Sequence, residues 1–143
     1  MKRSASKKKS CPDPRFIIQD NIEQEEQEIL SEVINWQPLY NLYTTQDSIV
    51  IHLELPGVDL GNVVIYLQRR YMVVTGNGQV PVGLTADCCI FHNLEIPYGR
   101  FSRRIDFPVP IELRHYDYEV KEGMLTLQFP VSVETIIPVE DGT

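Results

Sequence analysis

Residues 48–55 carry the sequence SIVIHLEL, in which apolar and polar side chains alternate. The polar face of this segment holds His52 and Glu54, whereas the opposite face is aliphatic and comprises Ile49, Ile51, Leu53 and Leu55. A period of two is typical of a β-strand with one buried face. Pro56-Gly57 ends the pattern. The stretch therefore predicts one strand of a sheet that covers a hydrophobic core.

The same period continues on both sides of this strand, from Pro38 to Pro130. Gly76-Asn77-Gly78 is expected to end one strand, and residues 77–97 form a long connection with one strand-like run at 88–94. The remaining strands are predicted at 39–45, 62–67, 71–75, 101–107, 116–120 and 125–129. Short strands separated by turns every eight to twelve residues or so are typical of an all-β, immunoglobulin-like β-sandwich. We therefore expect one domain over residues 38–130.

Two segments flank this domain. Residues 1–37 are expected to form an N-terminal arm, with a disordered basic start and a short acidic helix over 20–34. The apolar stripe of that helix comprises Ile22, Ile29, Leu30 and Val33. This stripe either folds back on the sandwich or clusters between chains and is released to bind other proteins. Residues 131–143 form a C-terminal extension.

The extension contains one unusual tripeptide, Ile137-Pro138-Val139. Proline fixes φ near −65° and has no N–H to donate, so the tripeptide is held extended and can join a sheet only at an edge. Ile137 and Val139 then project to the same side, as a plug for an apolar groove. The alternative is a frayed apolar end without a partner.

Charge and composition exclude several classes of function. Lys2, Arg3 and Lys7–Lys9 are basic, which leaves eight basic against 20 acidic residues in 10–143. Such an acidic body repels phosphate backbones, so no nucleic-acid partner is expected. No apolar run approaches the ~18 residues of a membrane span. The basic start is followed by CPDPR at 11–15 rather than by the apolar stretch of a secretion signal, so a cytoplasmic location is expected.

Neither a metal site, a cofactor nor an enzymatic centre is expected. Cys88 and Cys89 are adjacent, and adjacent strand residues point to opposite faces, so they cannot easily bind one ion. The sequence contains no Walker lysine motif and no Gly-x-Ser-x-Gly elbow. The sequence therefore indicates a binding protein rather than an enzyme.

Five short motifs give the chain a resemblance to a known family. In order, they are Trp36-x-Pro38, Leu55-Pro56-Gly57-Val58, Tyr98-Gly99-Arg100-Phe101-Ser102-Arg103-Arg104 leading to Phe107-Pro108, Gly123-Met124-Leu125-Thr126-Leu127, and Ile137-Pro138-Val139. Their order and approximate spacing are similar to those of small heat-shock proteins, the alpha-crystallin domain family. The resemblance covers about residues 36–139.

This resemblance implies an ATP-independent holdase chaperone. Members form homo-dimers that assemble into larger homo-oligomers, bind partly unfolded client proteins and prevent their aggregation. In part of the family, the dimer exchanges a strand from a long loop, and residues 77–97 are long enough for that. The resemblance also implies that the 137–139 plug docks in a groove of another chain, with Ile65 and Leu67 as groove lining.

The family also has an arginine and an acid at the positions of Arg103 and Glu95, which implies a dimer interface that includes both residues. A period of two places Arg103 on the face of Phe101 and Ile105, where a charge needs a partner. Glu95 is the candidate partner, including across the dimer. The alternative is an arginine that extends to water at the sheet edge.

A competing interpretation keeps the fold and changes the function. The sandwich would then be a dedicated interaction or structural module, such as a co-chaperone-like adaptor or an assembly subunit. Adaptors of the CS-domain kind lack an Ile-x-Ile/Val tail, so the 137–139 tripeptide argues against that version.

Overall fold

The structure is a computed structural model and describes residues 13–18, 34–80, 83 and 89–132. Within these ranges there are eight strands: β1 (Arg15–Ile18), β2 (Tyr40–Thr44), β3 (Ser48–Glu54), β4 (Val64–Leu67), β5 (Tyr71–Gly78), β6 (Gly99–Asp106), β7 (Asp117–Lys121) and β8 (Met124–Pro130). A 3-10 turn, Leu60–Asn62, precedes β4.

The strands form two four-stranded sheets, with the orders β1-β4-β5-β6 and β2-β3-β8-β7. Neighbouring strands are antiparallel except for β1 and β4, which are parallel. The predicted all-β sandwich is confirmed, and the predicted strands agree with the observed ones to within a few residues for β2 to β4 and β6 to β8. Within the described ranges, no helix has the length and apolar character needed to cross a bilayer.

The core lies between the two sheets and follows the period of two. β3 contributes its aliphatic face, and its opposite face holds His52, whose Nδ1 lies 3.0 Å from Thr126 Oγ1 of β8. The fully buried apolar side chains are Ile49, Ile51, Leu53, Val63, Ile65, Leu67, Met72, Val74, Phe101, Ile105, Ile111, Leu127 and Phe129. Each side chain of this size contributes about 1.5–3 kcal/mol when it is removed from water. The alternation predicted for residues 49–55 is therefore the alternation of the core.

One predicted turn is wrong. Gly76-Asn77-Gly78 does not end β5, which continues through Gly78 and pairs with β6 over its whole length. A Cβ atom on Gly76 would lie only 2.6 Å from Cζ of Phe101, the residue paired with it on β6. Gly76 is therefore required by the close approach of a buried ring and not by a turn.

Two further expectations differ from the structure. The short N-terminal helical arm is unsupported, because Arg15–Ile18 form a strand and residues 20–33 of the predicted helix lie outside the described residues. Residues 89–94 of the strand-like run are not in a strand, and Ile90 is 81% exposed. The remainder of the predicted connection, from Gln79 to Tyr98, contains no strand among its described residues.

The Gly76–Phe101 contact gives the first testable prediction. Gly76→Ala is expected to lower the free energy of unfolding by about 1–3 kcal/mol, because the added methyl group displaces a ring that is packed on every side. Chemical denaturation followed by the fluorescence of Trp36 measures the change. Gly83→Ala is the matched control, since a Cβ at Gly83 meets no atom within 4 Å. An equal loss in both variants would contradict the assignment of this cost to Phe101.

Candidate interaction sites at the sheet edges

The first candidate site is the gap between β4 of one sheet and β7 of the other, which we call the β4–β7 groove. Ile65 and Leu67, predicted to line a groove, lie on β4 and are fully buried on the face toward the opposite sheet. On the other side lie Tyr116, directly before β7, and Tyr118, in β7. The wall is therefore aliphatic on one side and aromatic on the other.

β1 occupies this groove. Its Phe16 ring packs against Tyr116 at 4.3 Å between ring centroids, nearly edge-on, and against Tyr118 at 5.3 Å. In the parallel register, Phe16 is paired with Ile65, and Ile18 is paired with Leu67. The two predicted groove residues are therefore paired, within one sheet, with a strand from the N-terminal part of the same chain.

A separate cavity of about 180 Å³ lies near the start of β4. This cavity lies between the turn before β4 and the hairpin of β7 and β8, and its lining residues are Leu55, Gly57, Val58, Leu60, Val120, Gly123, Met124 and Leu125. Most of the residues that line it are aliphatic, and none of them has an ionisable side chain. The aliphatic and aromatic walls of the β4–β7 groove itself are suited to apolar side chains of an extended segment.

The second candidate site is at the opposite edge of the sandwich, where β6 and β2 meet. Arg103 is paired with Val74 and lies on the inner face of β6, as predicted. Its guanidinium carbon lies 4.7 Å from the centre of the Tyr40 ring on β2, and its Nη1 donates to the carbonyl oxygen of Pro38 at 3.2 Å. The guanidinium group is therefore stabilised within the chain by a cation–π contact and a hydrogen bond to a carbonyl group.

Glu95 does not contact Arg103 within the chain. Its Oε2 atom accepts a hydrogen bond from Asn93 Nδ2 at 3.0 Å, and both residues are exposed. The structure thus places Arg103 at the edge and Glu95 in the connection that precedes β6. A pair between two chains stays a prediction.

The connection between β5 and β6 is notably apolar where it is described. Its exposed large hydrophobic residues are Val80, Ile90, Phe91, Leu94 and Ile96. The edge strand β2 adds Tyr43, and Leu39 precedes it, both exposed. Sequence analysis identified the length of this connection and not its exposed apolar character.

The other predicted site residues lie outside the described residues. They are the apolar stripe Ile22, Ile29, Leu30 and Val33, and the plug Ile137, Pro138 and Val139. Conversely, sequence analysis missed Phe16 as a groove residue. The sequence feature that could have indicated this strand is the run Phe16-Ile17-Ile18 shortly after Pro14, because aromatic and β-branched residues favour strands.

Comparisons with known proteins agree with this architecture. Small heat-shock proteins are among the similar solved structures, including heat shock protein 16.0 from Schizosaccharomyces pombe, with a TM-score of 0.62 and 19% identity over 76% of this chain and 98% of that one. HSP18.5 from E. histolytica has a TM-score of 0.56 and 24% identity over 73% and 97% of the two chains. A small heat-shock protein from Xylella fastidiosa has a TM-score of 0.59 and 19% identity over 76% and 99%.

These three likenesses establish the fold. The family follows from the sequence, since the model of the Hsp20/alpha crystallin family matches residues 42–140. The match begins in β2, includes β3 to β8 and extends through the 137–139 tripeptide. It also confirms the family suggested by the five sequence motifs. The chain therefore belongs to the Hsp20/alpha crystallin family, the small heat-shock proteins.

Proposed function

We propose that the protein is an ATP-independent holdase, which binds partly unfolded proteins in the cytoplasm and keeps them from aggregating. Membership of the Hsp20/alpha crystallin family is the observation that carries this proposal. Apolar side chains that are exposed outside the β5–β6 connection, among them Val109 and Val120, support it. Partly unfolded proteins expose apolar surface, which such side chains can cover. No chemical step is involved.

Binding of this kind has a defined thermodynamic signature. A holdase that binds the non-native client more tightly than the native client lowers the concentration of free non-native chains, without driving refolding. The amount of client protected is then set by the number of binding sites and does not depend on nucleotide hydrolysis. Protection is therefore expected to be stoichiometric.

Light scattering from a heat-unfolding client enzyme tests the proposal. With increasing amounts of the protein and no nucleotide, scattering is expected to fall to baseline at a fixed molar ratio for two unrelated clients. Added ATP is expected to leave that ratio unchanged. An equal mass of a globular protein without chaperone activity is the control for crowding. If neither client is protected, even after the protein is warmed, a dedicated interaction module is favoured, and a pull-down for one partner becomes the next experiment.

The dimer is proposed to form at the β6–β2 edge. β2 is the last strand of its sheet among the described residues, so one row of its backbone groups is available for another strand. The apolar β5–β6 connection of a second copy is the proposed partner of this edge. Glu95 of the second copy would then reach Arg103 of the first. Arg103 is half-buried against Tyr40, so its remaining donors can bind a carboxylate.

Removal of the charge at Glu95 tests this interface. In a chain that also carries Ile137→Ala and Val139→Ala to prevent larger assembly, Glu95→Gln is expected to raise the dimer dissociation constant about fivefold, because a two-fold symmetric dimer loses two partly exposed ion pairs of about 0.5 kcal/mol each. Sedimentation velocity measures the constant. Glu54→Gln, the same change at an exposed residue of β3, is the control. Equal constants for both variants would remove Glu95 from the interface.

Assembly beyond the dimer is proposed to use the 137–139 plug. Its proline is expected to keep the tripeptide extended with two aliphatic side chains on one side, which would suit the apolar walls of the β4–β7 groove. A plug from one chain would add to the edge of β4 in a neighbouring chain. The domain over residues 38–130 would then be the unit that is linked.

Two alanine substitutions test the plug. Ile137→Ala with Val139→Ala is expected to reduce the mass of the assembly toward that of a dimer, as measured by light scattering after size-exclusion chromatography. Ile136→Ala removes a neighbouring isoleucine that lies outside the i, i+2 pair and is expected to leave the mass unchanged. An unchanged mass in the double variant would exclude the plug from assembly.

A further inference from the structure

β1 differs from every other strand in how it joins its sheet. It is the one parallel addition among the described strands, and its hydrogen bond from Arg15 N to Val63 O, 3.0 Å long, lies at the start of a four-residue register on β4. β4 has β5 on its other side. A strand edge has a single outward row of backbone donors and acceptors, so it can pair with one added strand at a time. While β1 is bound, the edge of β4 is filled.

The side chains of β1 also fill the groove. Phe16 is half-buried between β4 and the tyrosines of β7, and Pro14, two residues earlier, is buried. Ile18, two residues later, is 45% exposed. Pro14, Phe16 and Ile18 therefore place apolar side chains at every second position. This is the same i, i+2 arrangement as that of Ile137 and Val139, again beside a proline.

The C-terminal extension leaves the sandwich close to this edge. Ser132, the last described residue, accepts a hydrogen bond at Oγ from Arg69 Nη2 at 3.2 Å, and Arg69 lies in the turn directly after β4. The backbone of that turn is held by Ile111 N, which donates to Arg69 O at 2.9 Å. Four residues separate Ser132 from Ile137, and this length spans up to about 17 Å when extended. The plug is therefore tethered near the end of a groove of this type.

We propose that Pro14–Ile18 is an internal occupant of the β4–β7 groove and that it competes with the 137–139 plug for the same strand edge. This inference rests on the proposed docking of the plug. A plug binds only a chain from which β1 has been released. Each docking event then frees Phe16 and Ile18 as additional apolar surface, which links assembly to exposure of client-binding surface.

The competition has a measurable consequence. When only a fraction of the chains has a free groove, the apparent dissociation constant of the plug equals its intrinsic constant divided by that fraction. If β1 occupies nine grooves in ten, weakening β1 tightens plug binding by about tenfold. A higher occupancy of β1 gives a larger change in affinity, and a lower occupancy gives a smaller one.

A labelled peptide with the sequence of residues 133–143 is the probe, and fluorescence anisotropy is the measurement. The protein is the full chain with Ile137→Ala and Val139→Ala, so that its own plug does not compete. Addition of Phe16→Ala is expected to tighten peptide binding about tenfold or more. Ile17→Ala is the matched control, because Ile17 is paired with Tyr66 on the face of the sheet away from the groove. This control is expected to change the affinity by less than about twofold.

A reversible cross-link tests the same competition with Phe16 intact. Ile17 and Tyr66 are paired across β1 and β4, and paired strands lie about 4.8 Å apart, within the range that a disulfide spans. The chain carries Ile17→Cys and Tyr66→Cys, with Cys11, Cys88 and Cys89 replaced by serine. The oxidised form is expected to lose peptide binding, and reduction is expected to restore it.

The outcomes separate this inference from the proposed function. If the peptide binds every variant equally, including the oxidised one, the competition is wrong and plug docking survives. If the peptide binds no variant, even with Phe16→Ala or after reduction, plug docking is wrong and the competition fails with it. Should Phe16→Ala not fold, the oxidised and reduced forms of the cross-linked chain decide between these outcomes.

Discussion

An open β-sandwich has sheet edges whose outward backbone groups need partners, and this constraint governs the whole molecule. The β1-β4-β5-β6 sheet is covered at both ends by the N-terminal part of the chain. β1 covers β4, and residues 34–36 lie along β6, where Asn35 N donates to Arg100 O at 2.9 Å. Trp36 adds a hydrogen bond from Nε1 to Gly99 O at 3.1 Å. Among the described strands, the other sheet ends in β2 and β7.

The cover on β6 depends on one backbone conformation. Gly99 has φ of 99°, a value that residues with a side chain rarely adopt, and the amide oxygen of Asn35 occupies the space where its Cβ would lie. The same oxygen accepts a hydrogen bond from Arg100 N at 3.0 Å. The glycine of the Tyr-Gly-x-Phe motif is thus explained by a contact between the arm and the sheet.

Much of the fold could be predicted from the sequence because the core strands obey one simple period. The alternation at residues 49–55 and 125–129 is that of the buried face, and the side on which Arg103 lies follows from the same rule. Gly76 could not be assigned in this way. A glycine in a strand indicates either a turn or a close approach, and only the position of the Phe101 ring, 25 residues later, decides between them.

The candidate site was less predictable for a related reason. Ile65 and Leu67 follow from the pattern of β4 and the family resemblance, whereas β1 is a four-residue strand that pairs with a segment almost fifty residues away. Local propensity alone cannot specify such a pairing, since its stability comes from packing against Tyr116 and Tyr118. The contacts of Arg103 with Tyr40 and Pro38 O depend likewise on how the two sheets meet.

When one edge strand replaces another, the backbone hydrogen bonds contribute nearly the same free energy in both states. A strand that leaves β4 and a strand that replaces it form the same kind of hydrogen bond, so the difference in free energy comes from side chains and from tethering. Phe16 has a larger apolar side chain than Ile137 or Val139, but the tripeptide is β-branched at both positions and its proline restricts φ, which lowers the entropy lost on binding. Under the proposed competition these two contributions oppose each other, so modest changes in temperature or chain concentration would shift the occupancy of the groove.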